Sequence, residues 1–300
     1  MHLIALLIGL IIERLATQFF HLRRLRWLER LIDRGLKQAE RLETWPSLIP
    51  IIALAILLVL PVIIVTLSLG DALLGFPYLI LCVVVLFFSL GPKDIGEDVD
   101  DYCAALQSED EEKIQHTAKA IVESVVPTDA LERCECVEAA VVVQANNRLF
   151  AVIFWFVLLG PLGAWGYRVT DLIRRRTVFN ASRDEQGSGE RAMEAAETLH
   201  GWLAWIPARL TAIGYATAGH FDAALAAWRA MDHSSIFGHE GSERLLATVG
   251  VGALDLQKRE DETPVERGVA GATAANKLVF RLLMIWAFVI AAMTLYGWTL

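Results

Sequence analysis

Two arginines set in apolar surroundings, Arg168 and Arg209, have the chemistry best suited to hold a ligand. A guanidinium is a planar fork of N–H donors. It matches the oxygens of a phosphate or carboxylate and keeps its charge at any physiological pH. Arg168 closes the run GPLGAWGYR (160–168), and Arg209 lies in WLAWIPARL (202–210) beside Pro207. Gly160, Gly163 and Gly166 let backbone come close to a ligand, and Tyr167 and Asp171 add polar groups nearby. Glu13 and Arg14 interrupt an apolar N-terminal stretch. Charges inside a membrane helix face protein or a water-filled cavity, so this pair is a further candidate for the site. Simpler readings stand beside these. The arginines could cap helices or meet lipid head groups, and Glu13–Arg14 could lie at the membrane surface with the arginine snorkelling.

Other chemistry finds little support. Glu197-x-x-His200 is a single i,i+3 pair, whereas di-iron bundles need two such pairs and two further carboxylates. A metal site is therefore not expected. Gly219 reads as the end of one helix and Asp222 as the cap of the next, with His220 between them. Ser188 within GSG lacks the strand–turn–helix setting of a nucleophile elbow. There is no G-x-x-x-x-G-K-[ST] phosphate loop, and the acidic runs GEDVDD and SEDEE lack the spacing of a calcium loop. We expect no catalytic residue, metal or cofactor. The four cysteines are too few for a disulfide framework. Cys134 and Cys136, one residue apart, read as free thiols in a reducing compartment. A net charge of −8 argues against nucleic acid as a partner.

The elements that must position these residues are membrane helices. Of 300 residues, 55% are hydrophobic, and the mean hydropathy of +0.45 is high for a soluble domain. The N-terminal apolar run is followed by Glu13–Arg14 rather than a small-residue cleavage site, so it reads as retained. Residues 21–44 carry leucines at helical spacing with arginines between them. Eight Lys or Arg fall within residues 14–41. Spans are expected at 48–69, 72–90 and 278–298, each near the roughly 20 residues that cross a bilayer. Gly70–Asp71 makes the first two a hairpin. Residues 93–148 read as an acidic, helical, cytoplasmic insertion with its charges on a solvated face, and Pro127-Thr128-Asp129 as a helix start.

Charge then locates 149–168. A full crossing would put Arg174, Arg175 and Arg176 outside, against the tendency of basic residues to remain cytoplasmic. The apolar part before Gly160–Pro161 has about 11 residues, a length typical of a buried or re-entrant segment. Proline lacks an N–H and disfavours helix at the residue before it. A re-entrant or broken helix is expected, with a kinked full span as the alternative.

The segments GPLGAWGYR and WLAWIPARLTAIGYATAGHFDAALAAW (202–228), with the N-terminal LIIERL, resemble the AmpE family across nearly the whole chain. That family is related to the CobD/CbiB cobinamide-phosphate synthases. The resemblance implies an inner-membrane regulatory or sensory protein. It would be tied to cell-wall recycling and induction of chromosomal β-lactamase. The related synthases join an amine to a corrinoid carboxylate. Against their pattern Tyr167, Arg168, Pro207, Ala208, Arg209 and Leu210 match. Asp171, Leu172, Arg174, His200, Gly201 and Ala204 stand where the pattern has other polar residues. What remains suits binding an anion better than catalysis.

The expectation is therefore an all-α, multi-pass protein of the bacterial inner membrane, one family domain over 1–300. Its partners would be the lipid bilayer, an anionic small molecule near Arg168 and Arg209, and a protein. A divergent amide-forming enzyme and a non-catalytic scaffold are the alternatives.

Overall fold

A computed structural model of the chain describes residues 26–40, 45–69, 76–90, 94–123, 125–182, 189–231, 238–254, 256 and 263–295. Among the described residues there is no strand. The all-α expectation is met. Among the described residues three helical stretches are long and apolar enough to cross a membrane: Leu48–Ser68, Ala130–Ala181 and Pro264–Met293. The chain divides into two compact units.

The first unit is drawn from the described parts of Met1–Pro92, Ala151–Trp205 and Met293–Leu300. Its first helix, α1 (Arg26–Glu40), buries Leu28, Ile32 and Leu36. That i, i+4, i+8 spacing makes one stripe. The stripe packs with Ile51, Leu54 and Ala55 of α2 (Leu48–Leu69), and Gly35 leaves room for the Leu54 side chain. At 22 residues α2 is about 33 Å long, enough for the bilayer core. Its Ile56, Leu57, Leu60, Ile64 and Leu67 stay exposed, as lipid-facing side chains do. The second arm of the expected hairpin, 72–90, is represented by α3 (Phe76–Ser89), whose 14 residues fall short of the roughly 20 that cross a bilayer, and the expected Gly70–Asp71 turn lies outside the described residues. Both arms pack on α7 (Ala151–Ala181), where the Trp165 indole donates to the Leu58 carbonyl at 3.1 Å.

The second unit holds Lys93–Phe150 and Ile206–Ala292. Three of its helices open on aspartates. Asp94 caps α4 (Ile95–Ser108), Asp110 caps α5 (Glu111–Ile121), and Asp129 caps α6 (Ala130–Ala145). Each carboxylate accepts from backbone N–H groups of the first turn, which have no partner within the helix. A π turn, Asn146–Phe150, follows α6. The unit also takes in the latter part of α8 (Glu190–Ala218), then α9 (Phe221–Ala230), α10 (His239–Leu254) and most of α11 (Pro264–Leu295). Val141, Val142, Phe150, Tyr215, Val249 and Leu278 lie in its core. The Tyr215 hydroxyl donates to the Val142 carbonyl at 2.8 Å, so this buried phenol is satisfied. Close packing relies on small residues. A Cβ on Gly250 would fall 2.8 Å from Val142, and one on Gly252 would fall 2.9 Å from Ala227.

Three sequence expectations are revised. The last apolar helix begins at Pro264, not 278, because the stretch GVAGATAAN (268–276) is rich in small residues and continues the helix. The acidic charges of 93–148 are not all solvated: Asp98 is buried and pairs with Arg148 at 2.9 Å, and Glu138 is buried against Arg267. A buried carboxylate needs such a partner to offset its lost hydration. The cap of α9 is His220 rather than Asp222, which falls in the first turn. The His220 N–H is drawn to the Ala253 carbonyl at 2.8 Å and starts the helix without a side-chain cap. The expected break is present at Gly160, with helix on both sides of it.

Gly160 has φ 65° and ψ −150°, a conformation essentially reserved for glycine. Pro161 favours the step, since it has no N–H to continue the ladder and disfavours helical geometry at the preceding residue, but only with a glycine before it can the chain adopt this conformation: Pro61 and Pro207 lie within unbroken helices. A Gly160→Ala substitution should therefore cost about 1–3 kcal/mol. Thermal unfolding of the detergent-solubilised protein checks this, and an unchanged Tm would show that the break tolerates a side chain.

Candidate functional site

After the break, α7 presents Arg168, Asp171, Arg174 and Arg175 at spacings of three and four residues, which brings their side chains together on one face. Asp171 is fully buried, and Arg168 and Arg174 are nearly so. The Asp171 Oδ2 accepts from Arg168 at 2.8 Å and from the Arg175 Nε at 2.9 Å. Its Oδ1 accepts from Arg174 at 3.3 Å and from the same Arg175 Nε at 3.1 Å. From α8 comes His200, also fully buried, with Nε2 3.9 Å from Oδ1. The Tyr167 ring lies 5.2 Å from the imidazole, centroid to centroid. One carboxylate thus organises three guanidinium groups in a place shielded from water, where charge-assisted hydrogen bonds are strongest.

Arg176 turns the other way. It forms a two-pronged ion pair with Asp33 of α1, at 2.5 and 2.7 Å, and its guanidinium lies 4.9 Å from the Phe179 ring centre. The hydrogen bond from Arg176 holds the Asp33 carboxyl below its ordinary range. The three consecutive arginines, which the sequence analysis used as a single basic cluster, therefore have separate partners. Arg174 and Arg175 are turned inward by Asp171, and Arg176 is held by Asp33.

The remaining candidates are distributed as follows. Arg168, Tyr167, Asp171, Gly160 and Gly163 belong to the first unit; Pro207 and Arg209 belong to the second. Pro207 is buried and Arg209 half-buried. Glu13 and Arg14 lie outside the described residues. A Cβ on Gly163 would fall 2.8 Å from that of Leu159 and would collide with the Trp155 carbonyl. The glycine is needed there to let the helix re-form after the break. Gly166 has no atom within 4 Å of where a Cβ would stand.

Sequence reasoning did not anticipate Arg174, Arg175 and His200 around Asp171. The signal available was the 168, 171, 174, 175 spacing; His200 comes from a distant helix and left none. It also missed a polar chain in the second unit. There Thr211 donates to Asn146 at 3.0 Å, Asn146 to Asn147 at 3.2 Å, and Asn147 to Glu243 at 3.4 Å, with His239 3.3 Å from Glu243. No group of three or more His, Cys, Asp or Glu residues able to hold a metal ion occurs among the described residues. At Asp171 a metal would also meet three guanidinium charges.

The family model for the regulatory signalling modulator protein AmpE matches residues 1–300. The chain belongs to the AmpE family. It is also similar to cobalamin biosynthesis protein CobD of Stutzerimonas stutzeri, with 26% identity over 215 residues, covering 68% of each chain. A CobD of Chromobacterium violaceum is 26% identical over 159 residues, half of this chain and 47% of that protein. No solved structure matches. As an AmpE-family member with three helices able to cross a bilayer among the described residues, this is a regulatory protein of the membrane, and the likeness to CobD agrees with the relation read from its sequence.

Removing the central carboxylate should leave three arginines facing one another without it. Asp171→Asn is expected to destabilise the protein by about 3–5 kcal/mol, as loss of one partner from a buried ion pair does. Arg175→Gln, at the more exposed edge, should cost clearly less. Paired thermal melts in detergent compare the two, and equal Tm values would deny Asp171 its central role.

Proposed function

We propose that this AmpE-family chain is an inner-membrane regulator, linked to cell-wall recycling and β-lactamase induction, that holds an anionic ligand instead of catalysing a reaction. The observation that carries this reading is the state of Asp171. Both of its oxygens accept hydrogen bonds from arginines, and it is fully buried. Amide synthesis with a nucleotide needs carboxylates open to a metal and phosphates. The one carboxylate in this cluster is occupied in organising forked donors, whose chemistry matches phosphate or carboxylate.

In this reading Arg168 and Arg209 contact the ligand, with Tyr167, Asp171, Gly160, Gly163, Pro207, Glu13 and Arg14 contributing to the site. The whole chain is one family domain, and 93–148 is its acidic cytoplasmic part. The segment before Gly160 dips into the membrane and returns, which keeps both basic regions on the cytoplasmic side. The likeness to the CobD proteins favours a second reading, a divergent amide-forming enzyme using the same arginines.

The test replaces the chromosomal copy in a strain with inducible β-lactamase. Arg168→Lys keeps the charge but removes the fork, and Arg209→Gln removes the charge. Each should weaken ligand binding about tenfold or more, the scale of a lost charge-assisted hydrogen bond. β-Lactamase activity after exposure to an inducing β-lactam should drop in the double variant at unchanged membrane abundance. Full induction at normal abundance would defeat both ligand readings. Nucleotide-dependent amide formation by the purified protein would favour the second over the first.

A further inference from the structure

The helix α1 has two faces, and only one of them is accounted for by packing. Leu28, Ile32 and Leu36 are buried against α2 and its neighbours. Trp27, Arg30, Leu31, Arg34, Lys37 and Gln38 are exposed. At about 100° per residue these six fall within an arc of roughly 120°. The two carboxylates at the centre of α1, Glu29 and Asp33, lie outside that arc, and Asp33 is engaged by Arg176. The outward stripe therefore carries three cations, an indole and a leucine, and no carboxylate. This runs against the chain's net charge of −8.

We infer that this stripe is a docking surface for acidic phospholipid headgroups. Its composition is that of a helix lying in the interface plane, where cations meet lipid phosphates and Trp and Leu side chains sit at the acyl boundary. Trp27 is 58% exposed and Leu31 39%, so both can enter that layer. Position agrees with chemistry. Only residues 41–47 separate α1 from α2, a reach of no more than about 25 Å. Exposed Trp45 stands just before α2, where interfacial aromatic residues anchor spans. The Asp33–Arg176 fork and the Leu54 contact at Gly35 fix the rotation of α1, which keeps the basic stripe turned outward.

The test uses the full-length protein in neutral detergent, titrated with phosphatidylglycerol or phosphatidylcholine and read as bound lipid by native mass spectrometry. Phosphatidylglycerol should bind preferentially. The variant Arg30→Gln/Arg34→Gln/Lys37→Gln should lose that preference, with affinity falling about fivefold per cation removed. The substituted residues are exposed, so its thermal transition should match that of the unsubstituted protein. Should the variant not fold, raising salt to about 1 M must erase the preference in the unsubstituted protein. Equal binding of both lipids, an unaltered preference in the variant, or displacement by inorganic phosphate at equal concentration would overturn the inference.

Discussion

A carboxylate removed from water inside an apolar helix must be answered by opposite charge, and Asp171 is where this protein meets that demand most fully. Its burial is tolerable because guanidinium groups reach it from residues three and four positions away on its own helix, where geometry holds them close. The reverse also holds. Arg168 and Arg174 could not be so nearly enclosed without it. The orientation of the helix beyond Gly160 is tied to this arrangement. The face carrying Asp171 must point inward, and Arg176 then emerges on the side where Asp33 of α1 receives it. One buried negative charge thus governs the rotation of a long helix and the seat of another.

The helical class and the break before Pro161 were legible because each follows from a strong local rule: apolar run length, and the conformational limits of a Gly-Pro step. The Asp129 cap was legible for the same reason. Ion pairs within the helices were not. Arg174-Arg175-Arg176 looks in sequence like a single basic cluster beside a membrane, since composition does not say which of three neighbours turns inward. Asp98 looked like one of many solvated acids, because its partner Arg148 lies 50 residues away. The start of the last helix was misjudged for a different reason. Hydropathy marks where lipid begins, whereas a helix of small residues can begin well before that.

The family assignment and the chemistry of α7 bear on one another. In α7 the buried carboxylate serves to hold arginines in place. The likeness to CobD proteins at 26% identity is compatible with a shared scaffold whose polar positions have been reassigned. The break at Gly160 fits the same picture. It ends the apolar part of α7 shortly before the charged part begins, so the cluster is held within the helix that follows the break rather than by a loop.

The glycines of the second unit have a further consequence. Helices that meet through Gly250 against Val142 and Gly252 against Ala227 are held by close contact between atoms. Contact of that kind does not depend on expelling water. A core assembled this way loses little when the surrounding medium changes from water to hydrocarbon. What limits how deep in the bilayer the second unit can reside is therefore not this packing but the exposed charges on and between α4 and α5, among them Asp101, Glu109, Glu111 and Glu112.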